Sequence, residues 1–291
     1  MSAKIVVKNV FDILKLSSLP KHEAYLILSS ILNKPVEYLL AHPELNLPLR
    51  VFNKFALWEK KRLAGWPVAY LIGKKEFYGY DFQVSPAVLI PRPETEMIID
   101  LVTDNWEKES YDQIIDIGTG SGAIVISLAK ELKRLFPSKF KKIKFSAADI
   151  STRAISVAKK NADLNKISAY INFKRGHLLA PFLSDLKKSK KINLLITANL
   201  PYLTPKQIVA SPSIQKEPKL ALDGGRDGLD LYRQLFQQIS KIPSAVSLTV
   251  IIEIDPIQSQ AVVKLCKQKL KTKSAQILPD LTGKNRFAII S

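Results

Sequence analysis

Asn199, Leu200, Pro201 and Tyr202 follow directly on an apolar run, Ile192 to Ala198, that reads as a buried strand. Ligands of an open α/β sheet bind at the carboxyl ends of its strands, so this tetrad is placed to do chemistry. Asn199 offers a side-chain carbonyl and an amide, and the Leu200 backbone carbonyl adds a second acceptor. Pro201 stiffens the turn and Tyr202 supplies a flat wall. Such a set can hold a planar NH2 group, either a primary carboxamide or the amino group of an adenine. Taken alone, Asn and Pro after a strand also make an ordinary turn.

Upstream, Ile114 to Ile117 run into Gly118, Thr119, Gly120, Ser121 and Gly122, and then into a helical pattern from Ala123 to Lys130. Glycines let the backbone approach a ligand closely, and the following helix start presents free amide donors. The third glycine comes two residues after the second, unlike the dinucleotide fingerprint Gly-x-Gly-x-x-Gly, and Asp116 precedes the loop by two. This form favours S-adenosyl-L-methionine over NAD, with Asp116 to Gly122 as the binding loop. A third apolar run, Ile143 to Ala148, ends in Asp149, where a βαβ unit sets a carboxylate against vicinal ribose hydroxyls. The long spacing from Gly122 to Asp149 is taken up by a basic stretch, Arg134 to Lys142, read as a surface loop. By itself Asp149 would serve equally as a helix N-cap.

On these and further segments the chain resembles the peptide chain release factor glutamine methyltransferases. The matching stretches are Gly65 to Tyr70 with Gly73, Glu76 to Gly79, Leu89 to Glu96, Asp116 to Gly122, Glu217 to Gly228 and Asp280 to Phe287. Pro91 to Glu96, Pro-Arg-Pro-Glu-Thr-Glu, is the most specific of them. The resemblance implies a class I methyltransferase domain with a seven-stranded Rossmann-like sheet and an antiparallel last strand. It also implies S-adenosyl-L-methionine as cofactor and, as substrate, the glutamine of the Gly-Gly-Gln motif in class 1 release factors. Asn199, Leu200, Pro201 and Tyr202 would form the catalytic clamp, with Asn199 also beside the cofactor. Three positions depart from the family. Leu200 replaces the first Pro of Asn-Pro-Pro-Tyr, giving a form seen in rRNA adenine dimethyltransferases. Gly176, His177 and Leu178 stand where an Asp is common near the adenine ring, so His177 and Leu178 become candidate cofactor contacts. Asn193 replaces an acidic residue, a peripheral change.

The elements that must position these residues fall into an α/β plan. Apolar residues at three- and four-residue spacings mark helices over Val10 to Leu16, Lys21 to Leu32 and Pro48 to Leu63. Residues 1–75 therefore read as a small helical substrate-recognition domain. Alternating aromatics over 76–91 mark a β-hairpin linker, and 92–291 the methyltransferase domain. Later runs, Val246 to Ile254, Ala275 to Leu278 and Arg286 to Ile290, bring the strands to about seven, with Glu253 and Asp255 at the end of the fifth. Val262 to Leu270 is an amphipathic helix.

The 291 residues are 46% hydrophobic and carry 44 basic against 26 acidic side chains, a net charge of +18. Residues 1–75 hold 12 basic and 5 acidic groups, so the excess is spread along the chain. Lys139 to Lys144 and Lys187 to Lys191 are its densest runs. Such runs are often solvated faces, yet a positive field also suits a partner beside the ribosome or RNA. The single cysteine, Cys266, excludes a disulfide framework, and no segment reaches the ~18 apolar residues of a membrane span. A cytoplasmic protein is expected. His22, His42 and His177 are scattered without metal-ligand spacing, so no metal is expected. Three readings compete: a release factor glutamine methyltransferase, an adenine methyltransferase acting on rRNA or DNA, and a non-catalytic RNA-binding module. The helical segment comes first and Pro91 to Glu96 is present, which favours the first. The glycine loop, Asp149 and Asn199 are intact, which counts against the third.

Overall fold

The computed structural model describes residues 9–189, 191–270 and 274–291. Residues 1–8 of the amino-terminal stretch and Lys190 of the second lysine run lie outside the described residues. The described chain falls into two compact units, one up to Gly73 together with Pro212–Lys216, the other Lys74–Ser211 with Glu217–Ser291.

The first unit is helical: α1 (Val10–Leu16), α2 (Lys21–Leu32), α3 (Val36–Ala41), α4 (Leu49–Leu63) and α5 (Val68–Ile72). Pro20, Pro35, Pro48 and Pro67 occupy the N-cap positions of α2 to α5. Their fixed φ sets each helix start. α3 and α5 are too short to show a full hydrophobic period, which is why the sequence pattern does not mark them. Val10, Ile13, Ile27, Leu28, Leu39 and Phe55 form the buried centre. Arg62 donates from Nε and Nη2 to the two Glu23 carboxylate oxygens at 2.7 and 2.8 Å, clamping α4 to α2.

The second unit opens with a hairpin, β1 (Lys74–Phe77) and β2 (Tyr80–Gln83). Its two-residue turn has φ of 51° at Tyr78 and 70° at Gly79, the double positive φ that matches hairpin twist. The hairpin is shorter than the 76–91 expected and clusters with this unit instead of standing as a linker. There follow α6 (Met97–Thr103), β3 (Gln113–Ile117), α7 (Ala123–Leu135), α8 (Pro137–Phe140), β4 (Lys144–Asp149), α9 (Thr152–Leu164) and β5 (Ile171–Arg175). Next come α10 (Leu183–Lys188), β6 (Asn193–Ala198), α11 (Pro205–Val209), α12 (Asp230–Ile239), β7 (Ser247–Glu253), α13 (Ser259–Leu270), β8 (Ala275–Pro279) and β9 (Asn285–Ile290). The stretch from Arg134 to Lys142, read from sequence as a loop, is largely helical. Phe140 anchors it, buried with its ring 5.5 Å from that of Phe145.

The seven strands run in the order β5-β4-β3-β6-β7-β9-β8. β3 to β7 pair in parallel, and β9 is antiparallel to both of its neighbours. β5 escaped the sequence reading because it is an edge strand, with Asn172, Lys174 and Arg175 breaking its apolar run. Alternate residues of one strand enter opposite cores: Ile115 and Ile117 face one cluster, Ile114 the other. The order reverses at β3, which has β4 on one side and β6 on the other, and Ile117 lies in register with Ala198. The loops that follow β3 and β6 therefore leave the same edge side by side, the switch point where open α/β sheets bind ligands. Among the described residues no helix is long and apolar enough to cross a membrane.

Candidate active site

The β3 loop is bent by positive φ at Gly118 (70°), Gly120 (55°) and Gly122 (82°). Gly118 and Thr119 donate their amides to the Ala148 carbonyl at 2.9 and 3.0 Å, which stitches the loop to the end of β4. Asp149, the last residue of β4, accepts from the Gly120 amide at 3.0 Å and from the Ser151 amide at 2.8 Å. Burial pushes its pKa up, against the pull of those amides.

Two members of the expected binding loop do not face the ligand space. Asp116 is fully buried, and its two oxygens accept from Thr119 Oγ1 at 2.7 Å and Thr197 Oγ1 at 2.8 Å. It braces β3 against β6 and the loop, with burial raising its pKa to about 7. Gly122 caps α7 from behind the loop. A Cβ there would come within 2.8 Å of Ile126 Cδ1 and 3.3 Å of Ala158 Cβ, so its role is the close approach of α7 and α9.

Gly118, Thr119, Gly120, Ser121, Asp149, His177, Leu178, Asn199, Leu200 and Pro201 all line one cavity of about 310 Å³. This is within the usual range for small-molecule sites. Pro91, Arg92 and Thr95 close its wall, as do Pro218, Leu220 and Ala221. Glu217 joins these two walls: it takes a hydrogen bond from Arg92 Nη2 on one oxygen and from the Ile90 amide, at 3.1 Å, on the other. His177 Nε2 sits 2.9 Å from Gln234 Oε1.

Asn199 is held from within the protein. Its Nδ2 donates to Thr95 Oγ1 at 3.1 Å and to Glu253 Oε2 at 2.9 Å. Thr95 Oγ1 in turn donates to Glu253 Oε2 at 2.6 Å. Among the described residues no donor is seated on Asn199 Oδ1. Tyr202 does not form the flat wall expected of it. It is absent from the cavity lining, and its ring packs on the core while its hydroxyl donates to Glu253 Oε1 at 3.2 Å. Burial, then the Glu253 charge, raises the Tyr202 pKa.

Residues 7–73 match the model of the PrmC N-terminal domain, and residues 108–273 that of a methyltransferase domain. The release factor glutamine methyltransferase of Moorella thermoacetica is 37% identical, the match covering 92% of this chain and 89% of that protein. The chain belongs to the release factor glutamine methyltransferase family. The Bacillus subtilis release factor glutamine methyltransferase is 35% identical over 76% of this chain and 74% of its own length. The fold is that of a class I methyltransferase. The human Mettl16 catalytic domain, solved in complex with MAT2A 3'UTR hairpin 6, shares it with a TM-score of 0.54 at 16% identity, covering 73% of this chain and 75% of that one.

Leu200 bears on the geometry of the site. Its side chain is 3% exposed and lies where Gly118 would carry a Cβ, with Cδ2 only 2.8 Å from that point. The side chain thus fills the seam between the two loops, and its backbone amide donates to Tyr232 Oη at 3.3 Å. Asn193 is peripheral to the cavity, donating from its amide to Asp112 Oδ2 at 2.8 Å.

Sequence reasoning missed Thr95, Glu253, Glu217 and Asn161. The Asn161 side chain accepts from the Gln83 amide at 2.7 Å and donates to the Ser121 carbonyl at 2.8 Å, tying the hairpin to the glycine loop. Thr95 lies inside the most specific segment, and Glu253 is an acid closing an apolar strand. Both signals were present, but only the three-dimensional structure pairs them with Asn199.

Proposed function

We propose that the chain methylates the side-chain amide of the glutamine in the Gly-Gly-Gln motif of class 1 peptide chain release factors, using S-adenosyl-L-methionine, as a cytoplasmic enzyme of translation termination. The observation that carries this reading is the anchoring of Asn199 through its nitrogen, which leaves Oδ1 as an acceptor at a cavity walled by Gly118 to Ser121. Family membership and Thr95, supplied by Pro91 to Glu96, support it.

The residues present fit a nucleoside-type methyl donor. Gly120 leaves open backbone where a side chain would intrude, Asp149 brings a carboxylate that can accept from hydroxyls, and Leu178 and Ile150 offer apolar wall. His177 lines the same cavity, where a neutral imidazole nitrogen can accept from an adenine amine. The bound donor would supply an activated methyl group: the new N–C bond forms as the donor's sulfonium S–C bond breaks, the sulfur keeping that electron pair, and the nitrogen gives up one proton to water.

A carboxamide nitrogen is a poor nucleophile because its lone pair is delocalised into the carbonyl. Asn199 Oδ1 and the Leu200 carbonyl accept its two N–H bonds, which localises the lone pair and fixes its direction. Pro201 holds the turn that places the two acceptors. No base is needed beforehand, since the alkylated nitrogen is acidic. The positive charge of +18 suits a partner that works beside the ribosome.

The test is incubation with labelled S-adenosyl-L-methionine and either a class 1 release factor or rRNA, with the modified residue located by mass spectrometry. Label on the Gly-Gly-Gln glutamine is expected. Asn199→Ala should cut the single-turnover rate by at least ~100-fold and leave cofactor affinity intact. Label on rRNA alone would establish the adenine reading in its place.

A further inference from the structure

An asparagine side chain can occupy its site in two orientations that exchange oxygen and nitrogen, and only one of them offers an acceptor to a substrate amide. Both inner neighbours of Asn199 act on it as acceptors. Glu253 Oε2 lies 2.9 Å from Nδ2, and Thr95 Oγ1 lies 3.1 Å from it. The Thr95 hydroxyl proton is already committed to the same Glu253 oxygen, at 2.6 Å, so only a lone pair remains for Asn199. The second Glu253 oxygen is engaged by the Tyr202 hydroxyl at 3.2 Å. Glu253 and Thr95 are 1% and 4% exposed, so water cannot replace either contact.

Burying a carboxylate at the end of a core strand is costly unless it is well bonded. An apolar side chain at 253 would serve β7 as well. We propose that Glu253, assisted by Thr95, is the positioning residue that sets the polarity of Asn199, drawing its nitrogen inward and so keeping Oδ1 turned to the substrate. This rests on the glutamine-methylation reading for its substrate. A reversed Asn199 would set N–H against N–H, so the loss falls on the rate of methyl transfer and spares binding.

The test uses the full-length enzyme. Glu253→Leu removes the acceptor, Thr95→Val removes one of the two, and Glu253→Gln can leave a carbonyl oxygen in the Oε2 place while turning its amide to the Tyr202 hydroxyl. Glu253→Leu should lower kcat by at least ~10-fold with KM for release factor and cofactor Kd within about twofold, and Glu253→Gln should recover most of that rate. In an Asn199→Ala background Glu253→Leu should have no further effect on rate. The Asn199 side-chain NH2, followed by 15N NMR and assigned by its loss in Asn199→Ala, should exchange slowly with water in the native enzyme and rapidly in Glu253→Leu. Should Glu253→Leu not fold, Thr95→Val decides, with a smaller loss of kcat at unchanged KM expected. Full kcat in the folded variants, or an equal loss with Asn199 already removed, would overturn the proposal. The NH2 exchange needs no substrate, so a failure to methylate release factor would refute the glutamine reading while leaving this one measurable.

Discussion

Replacing Gly224 by alanine should impair the enzyme from outside the motif that does the chemistry. A Cβ at this position would lie 2.6 Å from the Pro201 carbonyl oxygen, 2.7 Å from that of Gly228 and 2.8 Å from Tyr202 Cα. Ordinary contact begins at 3.4 Å, so about 0.8 Å has to be found, and every obstructing atom is backbone. The loop cannot retreat freely. Gln258 Nε2 donates to the Tyr202 carbonyl at 2.9 Å, and the Gly224 amide to the Leu203 carbonyl at 2.8 Å. The displacement therefore passes along Pro201 to Asn199. A misplacement near 1 Å costs about 100-fold in rate, so the single-turnover constant should fall by ~10- to 100-fold. Overpacking should cost ~1–3 kcal/mol of stability. Cofactor affinity, measured by calorimetry, should hold within about threefold, because the Asp149 contacts are untouched. Gly283→Ala is the control: its φ is also positive, at 82°, but nothing lies within 4 Å, so it should lose stability without losing rate. A folded Gly224→Ala enzyme at the native single-turnover rate would refute the reasoning.

The cofactor site is tested by Gly120→Val and Asp149→Ala, each expected to weaken S-adenosyl-L-methionine binding by ~1–3 kcal/mol in calorimetry; native affinity in both, with folding intact, would remove them from the site. Asp116 makes stability depend on pH. Its native pKa of about 7 exceeds the unfolded value of 3.8, so its contribution is full below about pH 4 and is lost as pH rises to about 7. Urea midpoints should accordingly fall more steeply from pH 5 to 8 in the native protein than in Asp116→Asn, and parallel slopes would contradict the assignment. Removing the residues through Gly73 should abolish methylation of intact release factor while cofactor binding persists, because a lone carboxamide cannot distinguish one glutamine from another; a truncated enzyme working at the full-length rate would show that selection lies elsewhere.

The sheet was legible because its inner strands are largely buried on both faces and read as mainly apolar runs, two of which lead into a polar group, Asp149 and Asn199. β5 was not, because an edge strand carries Lys174 and Arg175 among its apolar residues. The contents of the cavity wall were legible from spacing: glycines for close approach, a carboxylate for hydroxyls, an asparagine after a strand. What faced inward was not. Asp116 and Tyr202 have the residue types of ligand contacts, yet one is spent on Thr119 and Thr197 and the other on Glu253. Periodicity places a residue on an element, whereas hydrogen bonds across the sheet depend on which strands become neighbours.

The bonds that finish this site span long stretches of chain. Thr95 reaches Glu253 across 158 positions, Ile90 reaches Glu217 across 127, and Asn199 reaches Thr95 across 104. Closing loops of that size costs entropy before any contact rewards it, whereas the helices of the first unit are built from near neighbours. During refolding from denaturant, the helical signal should therefore return well before methyl transfer does. Catalytic competence would then report the arrival of β7 beside β6, and a half-assembled chain would hold no weak version of the activity.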